Sequence, residues 1–539
     1  MNKLTLKVVC AMIGIVFKKE MLSHLLSLRF AACTVLAVVL IIANGVLSTQ
    51  TFVHKKASYL TQRASEDSKL HEITYYAALG FDWVISTNFS AIAQVKAAPR
   101  ALRPPRPLEV FAQGDERQAG QAVKVLLFEV PYQAEEVSPF QSSNPYLAIF
   151  AFFDMVYIFQ LVLGLLAILI ASETISGEKE NGTLRLMLTT NVSRAQVLVG
   201  KVLAGLTTLA IPTALGFILL TILLLGTEHI EVGIGEWARV GLLFVLSLLY
   251  LLVFYLIGLA ISCATHRSAT SLIYALFTWA LLAIVLPNSI SALLNEQANM
   301  GEKHAEAHHK AAQVWKKFDQ EVLDLARAHG QTKYFPTDMV ERDHSLSKDG
   351  TVTYSDGTET YSRSGRGEQK PHVYLTNVAA SPALAKFQDI VRTGERLRLK
   401  YAQRAWNEKA PLLEGFPRRI QRLNTQLQRL LPAGAYTQAA SILAGTSRRE
   451  YYDFINQVRT YRGQIIAFLE DRDAFGSREW FNDDPGWRAD LRDLPRFYER
   501  GWTVAESLNH AWPALIALVL YAAGLFVLAN RLFAHYDAM

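Results

Sequence analysis

Three groups of residues have the types and spacing for chemistry. The first is the stretch ETISGEKENGTLRLML at 173–188, set between two long apolar runs. Its charges (Glu173, Glu178, Lys179, Glu180, Arg185) can fix the register of a docked partner, and Leu184, Leu186 and Leu188 offer an apolar face. Gly177 and Gly182 are predicted to break helix continuation, and Thr183 to cap a short amphipathic helix over Leu184–Leu188. Ser193 and Gln196 form a capping box that starts the next run. The chemistry expected here is charge-steered docking in a groove of a soluble partner; an ordinary solvated loop is the alternative.

The second group is His304, His308 and His309. His304 and His308 lie four apart and share a helix face, as zinc ligands often do. HAEAHH lacks the glutamate of H-E-x-x-H and no further ligand is identifiable, so a solvated helix without metal is predicted. The third is Gly200–Lys201. A phosphate-binding loop needs G-x-x-x-x-G-K-[ST], whereas here valine follows within an apolar run, and the motif occurs nowhere else. The chain is therefore expected to bind no cofactor, to have no catalytic residues, and to leave nucleotide to a separate polypeptide.

These residues need elements to hold them. Of 539 residues 51% are hydrophobic and 19% charged, and mean hydropathy is only +0.16. The apolar residues cluster into long runs, which makes the chain an α-helical polytopic membrane protein. A net charge of +6 then points to loops facing anionic lipid, not to nucleic acid. Six spans are predicted, at 30–48, 147–172, 197–225, 239–263, 270–294 and 511–533. Pro212 and Pro287 are expected to kink the third and fifth.

Lysine and arginine flank alternate span ends, which places both termini in the cytoplasm. On this topology 1–29 is cytoplasmic, with an interfacial amphipathic helix in FKKEMLSHLLSLRF, and 173–196 is a cytoplasmic link. Residues 534–539 form a cytoplasmic tail, and 49–146 and 295–510 lie outside. The three cysteines, Cys10, Cys33 and Cys263, fall in spans or on the cytoplasmic side, so the outer segments must fold without disulfides.

The outer domain reads as mainly helical with a small β-hairpin. A long helix should end at Gly330 and bury Val314, Phe318, Val322 and Leu325, with further helices near 381–409, 412–431, 447–472 and 487–500. TVTYSDGTETYS predicts a hairpin turning at Asp356–Gly357, with Val352 opposite Tyr361 and Tyr354 opposite Glu359. APRALRPPRPLEV should be extended and serve as a connector, and the first outer segment should pack on the outer domain. Two charges fall inside the spans. Lys201 is expected to snorkel to the cytoplasmic headgroups; Asp154, about two turns into span two, lines a translocation path or simply sits at the interface.

The pattern E-x-x-x-G-E-K-E-x-G-T-L-R-L-x-L followed by S-R-x-Q-x-L-x-G-K resembles the cytoplasmic loop of ABC-2 type transporter permeases. The closing FAHYDAM and the order of segments are similar too, and LLPAGAYTQAASILAGTSRREYYDFINQV resembles the subgroup with an enlarged external domain before the last span. The resemblance implies a permease subunit in a bacterial inner membrane. It implies pairing with a second copy or a related permease, served by ABC ATPase subunits that carry the ATP and Mg. Glu173, Gly177, Glu178, Gly182, Thr183, Leu184, Ser193 and Arg194 are carried over as the coupling region. Export of an unidentified substrate is the first expectation. A mechanical coupler or scaffold acting on outer partners is the second, motivated by the size of 295–510.

Overall fold

The computed structural model describes residues 3–72, 99–114, 120–127, 134–135, 154–184, 193–227, 233–296, 301–330, 344–346, 352–355, 360–363, 382–476 and 489–535. Helix α1 (Lys3–Leu25) precedes α2 (Leu28–Glu72). Then come α3 (Met155–Glu180), α4 (Arg194–Leu225), α5 (Ile234–Ala264) and α6 (Ser268–Leu294). Segment 295–510, named the outer domain after its expected side, holds α7 (Gly301–Ala328), α8 (Pro382–Ala410), α9 (Phe416–Arg429), α10 (Pro432–Ala444) and α11 (Arg448–Asp471). Helix α12 (Val504–Ala534) closes the chain. Six of these, α2 to α6 and α12, are long and apolar enough to cross a membrane.

Span one is much longer than its apolar run. Nothing from Ser48 to Glu72 is glycine or proline, so the helix has no reason to stop and α2 reaches Glu72. Its far end carries Lys55, which is buried and bonded to Glu109 at 2.9 Å. Span two starts later than expected among the described residues: Asp154 is the N-cap of α3, not a residue two turns inside. The capping box of Ser193 and Gln196 is present, and a second one, Thr503 with Glu506, starts α12.

Helix α5 is the centre of the bundle. Tyr250, Leu251, Val253, Phe254 and Tyr255 are buried along it, and small residues let its neighbours come close. A Cβ on Gly205 of α4 would lie 2.2 Å from the Tyr255 ring, and one on Gly258 would lie 2.7 Å from the carbonyl oxygen of Ile168.

The outer domain departs from expectation in three places. Residues 489–500 are not helical: Pro495 removes a donor, and Leu491 and Leu494 pack with Phe497 and Phe454 beside α11. Helix α10 was not expected. Its small face (Ala433, Ala435, Ala439, Ala440) is fully buried, and it lies among the spanning helices, so 295–510 is not wholly outside the bundle. The hairpin pairs β1 (Val352–Ser355) with β2 (Thr360–Arg363). Val352 faces Arg363 and Tyr354 faces Tyr361, two residues out of the expected register, because the connection spans 356–359 and not two residues. A third strand (His344–Leu346) extends this sheet.

Other expectations hold. Helix α7 gives way at Gly330 (φ +77°), and Phe318 and Val322 are buried with Val314 and Leu325 packed beside them. The first outer segment packs on the domain: Leu70, Ala101, Val123 and Val125 share a core with α11. Its proline-containing tract is extended at Arg100–Leu102, a strand paired antiparallel with Ala122–Lys124, and ends in a short 3-10 turn at Pro107–Val110. Buried ion pairs clasp it there, with Arg106 donating to Glu450 and Glu499 at 2.9 Å each.

Candidate functional site: a charged loop clamped to helix ends

The 173–184 stretch is held by its own charges. Helix α3 breaks at Thr174–Ile175, where Ser262 Oγ of α5 accepts from the backbone N–H groups of Ile175 and Ser176 at 3.0 and 2.8 Å. A short helical turn, Ser176–Glu180, then runs straight through Gly177, so that glycine does not end a helix. Gly182 does: its φ is +71°, a conformation natural only to a residue without Cβ. Thr183 already belongs to the following helical turn and does not cap it. Residues 185–192, including Leu186 and Leu188, lie outside the described residues.

Two charges of this turn cap neighbouring helices. Lys179 Nζ donates to the carbonyls of Cys263 and Thr265 at 2.5 and 2.9 Å, at the C-terminus of α5. Glu180 accepts from the N–H of Ser268 at 3.0 Å and from its hydroxyl, at the N-terminus of α6. Cation at a C-terminus and anion at an N-terminus are the favourable signs for the helix dipoles. Arg194 does the same for α12, donating to the carbonyls of Phe533 and Ala534 at 3.1 and 2.5 Å.

Glu178 and Glu173 turn the other way, toward α1 and α2. Glu173 pairs with Arg29 at 2.5 Å, and Glu178 with Lys19 at 3.3 Å and Lys201 at 3.1 Å. Lys201 does not snorkel. Its side chain is fully buried, and its ammonium also meets Glu20 Oε1 at 2.8 Å and the Thr174 carbonyl at 2.9 Å. Three acceptors match its three protons, which is what makes a buried ammonium tolerable. Glu20 has His24 beside it at 3.8 Å. Burial pushes the His24 imidazole below its usual value; Glu20 opposes this and Lys201 adds to it.

The candidate coupling residues therefore divide. Leu184 is buried in the main core and cannot offer its side chain to a partner. Glu180, Asn181, Gly182 and Thr183 are exposed and form the tip of the loop among its described residues. Asp154 lies at the other end of the bundle. Its carboxylate accepts from the N–H of Tyr157 at 2.8 Å and of Gln113 at 3.1 Å, fastening the outer segment over the mouth of α3.

Sequence reasoning missed a polar cluster between α3, α5, α6 and α10. Gln160 sits in a π-helical turn (Phe159–Leu163) and donates to the Ala283 carbonyl at 3.0 Å, in a second π-helical turn (Leu281–Val285). Pro287 can give no N–H to that carbonyl four residues back, which leaves it available. Tyr250 donates to the Gln160 carbonyl at 3.0 Å, and Thr437 of α10 to its side-chain oxygen at 3.1 Å. The signal was a lone glutamine in YIFQLVL, since a polar side chain in a span calls for a partner. Glu20 was a signal too, being an acid beside the apolar face of Phe17, Met21 and Leu25.

Residues 15–538 match the family described as ABC-2 family transporter protein. This chain belongs to that family. Over 132 residues it is also 35% identical to the probable ABC transporter permease protein NosY of Stutzerimonas stutzeri, covering 24% of this chain and 47% of that relative. The chain thus spans about half the length of the curated relative it matches. Its six long apolar helices are those of a multi-pass membrane protein of that family.

Proposed function

We propose that this chain is the membrane half of an ATP-driven exporter in a bacterial inner membrane. Its loop tip at 180–183 seats on a separate ABC ATPase subunit, where ATP and Mg are bound. A second copy or a related permease completes the pair, with both termini on the ATPase side. One observation carries the reading: an exposed tip stands on a turn whose charges are all committed to helix ends and to α1. A push on the tip then reaches α5, α6 and α1 without being lost in a slack loop. In this reading Asp154, at the opposite mouth of α3, borders the exit of the translocation path.

Purification in mild detergent tests it. The intact chain should retain an ATP-hydrolysing subunit, and Asn181→Arg combined with Thr183→Arg should lose it while the chain still elutes as one symmetric peak, later than the complex. If no ATPase accompanies the intact chain, the reading fails.

A second reading, transmission of force to an outer partner, is favoured by α10, a helix of the outer domain lodged among the spans. Spin labels on Leu423 and Leu520, both exposed, separate the two. Separation of α9 from α12 during ATP turnover supports an opening path. Constant spacing with motion of α7 supports force transmission.

A further inference from the structure

Lys201 is more than a satisfied buried charge. Its buried ammonium is shared by α1, α4 and the loop. Glu20 comes from α1, Lys201 from α4 and Glu178 from the loop, and both carboxylates lie within 3.1 Å of the same ammonium. The Thr174 carbonyl, at the break in α3, completes the set. Lys201 itself is held from behind, since Tyr255 Oη of α5 donates to its carbonyl at 2.9 Å. The seat of α1 is equally close: a Cβ on Gly200 would come within 3.0 Å of Val16.

We infer that Lys201 is a positioning residue that makes α1 travel with the coupling loop, so that a displacement of 173–184 is delivered to α1 and, one turn later, to α2. This rests on the proposed seating of an ATPase on the loop. The physical reason is the cost of separation. Moving the loop away from α1 would leave either Glu20 or Glu178 buried without its cation, and a buried unpaired charge is far more expensive than a small rigid-body shift. The other charges facing the cluster are Lys19, which holds only Glu178, and His24, which holds only Glu20. Lys19 itself lies on α1, so its pair with Glu178 is a direct link to the loop, but its side chain is exposed and the pair is expected to contribute little; His24 and Glu20 both lie on α1 and link nothing else. Arg29–Glu173 is a second, exposed link to the start of α2 and is expected to contribute little.

The test uses spin labels at Lys18 and Arg267, both exposed, one on α1 and one at the α5–α6 end to which the loop is clamped. The native cysteines are replaced, and the full chain is placed in nanodiscs with its ATPase. The intact clamp should give one narrow distance that keeps its mean between the nucleotide-free and vanadate-trapped states. Lys201→Met should add a second, longer population, whereas Lys201→Arg, which keeps a cation between Glu20 and Glu178, should keep the single one, a difference that a purely space-filling role would not produce. Glu20→Gln is the milder variant should Lys201→Met aggregate, and should broaden the same peak. A single unshifted peak in Lys201→Met, or in Glu20→Gln if Lys201→Met aggregates, overturns the inference, as does a change of distance on vanadate trapping in the intact chain. If no ATPase binds, the function proposal falls, while the comparison of variants in the chain alone still decides whether Lys201 holds α1.

Discussion

Tyr436 lies stacked on Tyr250, ring centroids 4.4 Å apart, with its hydroxyl 3.0 Å from Ser247 Oγ. Residues from the outer domain and the middle of span four thus form one packed unit. Tyr436→Ala should destabilise the bundle by about 3–5 kcal/mol, the range for losing a large buried ring. Tyr436→Phe keeps the stack and loses only an interhelical hydrogen bond, about 0.6 kcal/mol. Unfolding of the two variants in mixed micelles distinguishes the contributions.

Close approach of α4 to α5 depends on Gly205. A methyl group there would lie 2.2 Å from the Tyr255 ring, whereas one on Gly241 would meet nothing within 4 Å. Gly205→Ala should therefore cost about 1–3 kcal/mol through overpacking. Gly241→Ala should be neutral or stabilise by up to about 1 kcal/mol through helix propensity. Melting temperatures of the two purified variants should move in opposite directions or differ by several degrees.

Glu395 of α8 is fully buried, neither carboxylate oxygen has a hydrogen-bond partner among the described residues, and Arg398 approaches only to 3.8 Å. Burial pushes its carboxyl up to about 7, with Arg398 opposing. The folded chain then keeps this proton over a range where the unfolded chain has lost it. Stability should fall as pH rises from about 4.5 to about 7 and level off above. Glu395→Gln should abolish that slope and stabilise the domain at pH 8 by roughly 1–3 kcal/mol. Thermal melts at pH 5 and pH 8 read the difference; an unchanged slope in the variant would sink the assignment.

Gly182 has φ +71° and open space where a Cβ would stand. Its requirement is therefore conformational and not steric. Gly182→Ala should cost about 1–2 kcal/mol locally and loosen the tip, and Gly182→Asn less, since asparagine visits the left-handed region. Retention of the ATPase on the purified chain should decrease in the order Gly, Asn, Ala.

The loop itself was partly legible. Ser193 and Gln196, three apart before an apolar run, announced a capping box that is present, and Gly182 announced the break that occurs there. Gly177 misled, because glycine permits a turn without requiring one, and the serine pair Ser176–Ser262 keeps this stretch helical. Leu184 was read as a docking residue from its apolar character, and that character is spent inside the chain's own core.

Reading along the chain was enough for the number of spans, the helical class and the breaks at Ser193, Gly182 and Gly330, because each depends on residues within a turn or two of one another. Apolar runs too long for a soluble helix, a side chain that reaches its own backbone and a glycine at positive φ are local facts. Lys201 shows what lay beyond that reach. Its helix and its depth were evident, but its fate depended on Glu20, 181 positions away. Helix α10 is the same case: an Ala-rich stretch could have been a solvated connector, and packing against Tyr250 made it part of the bundle. A buried charge or a small-residue face states a demand in the sequence. Which group meets it is decided only when distant segments compete for the same space in three dimensions.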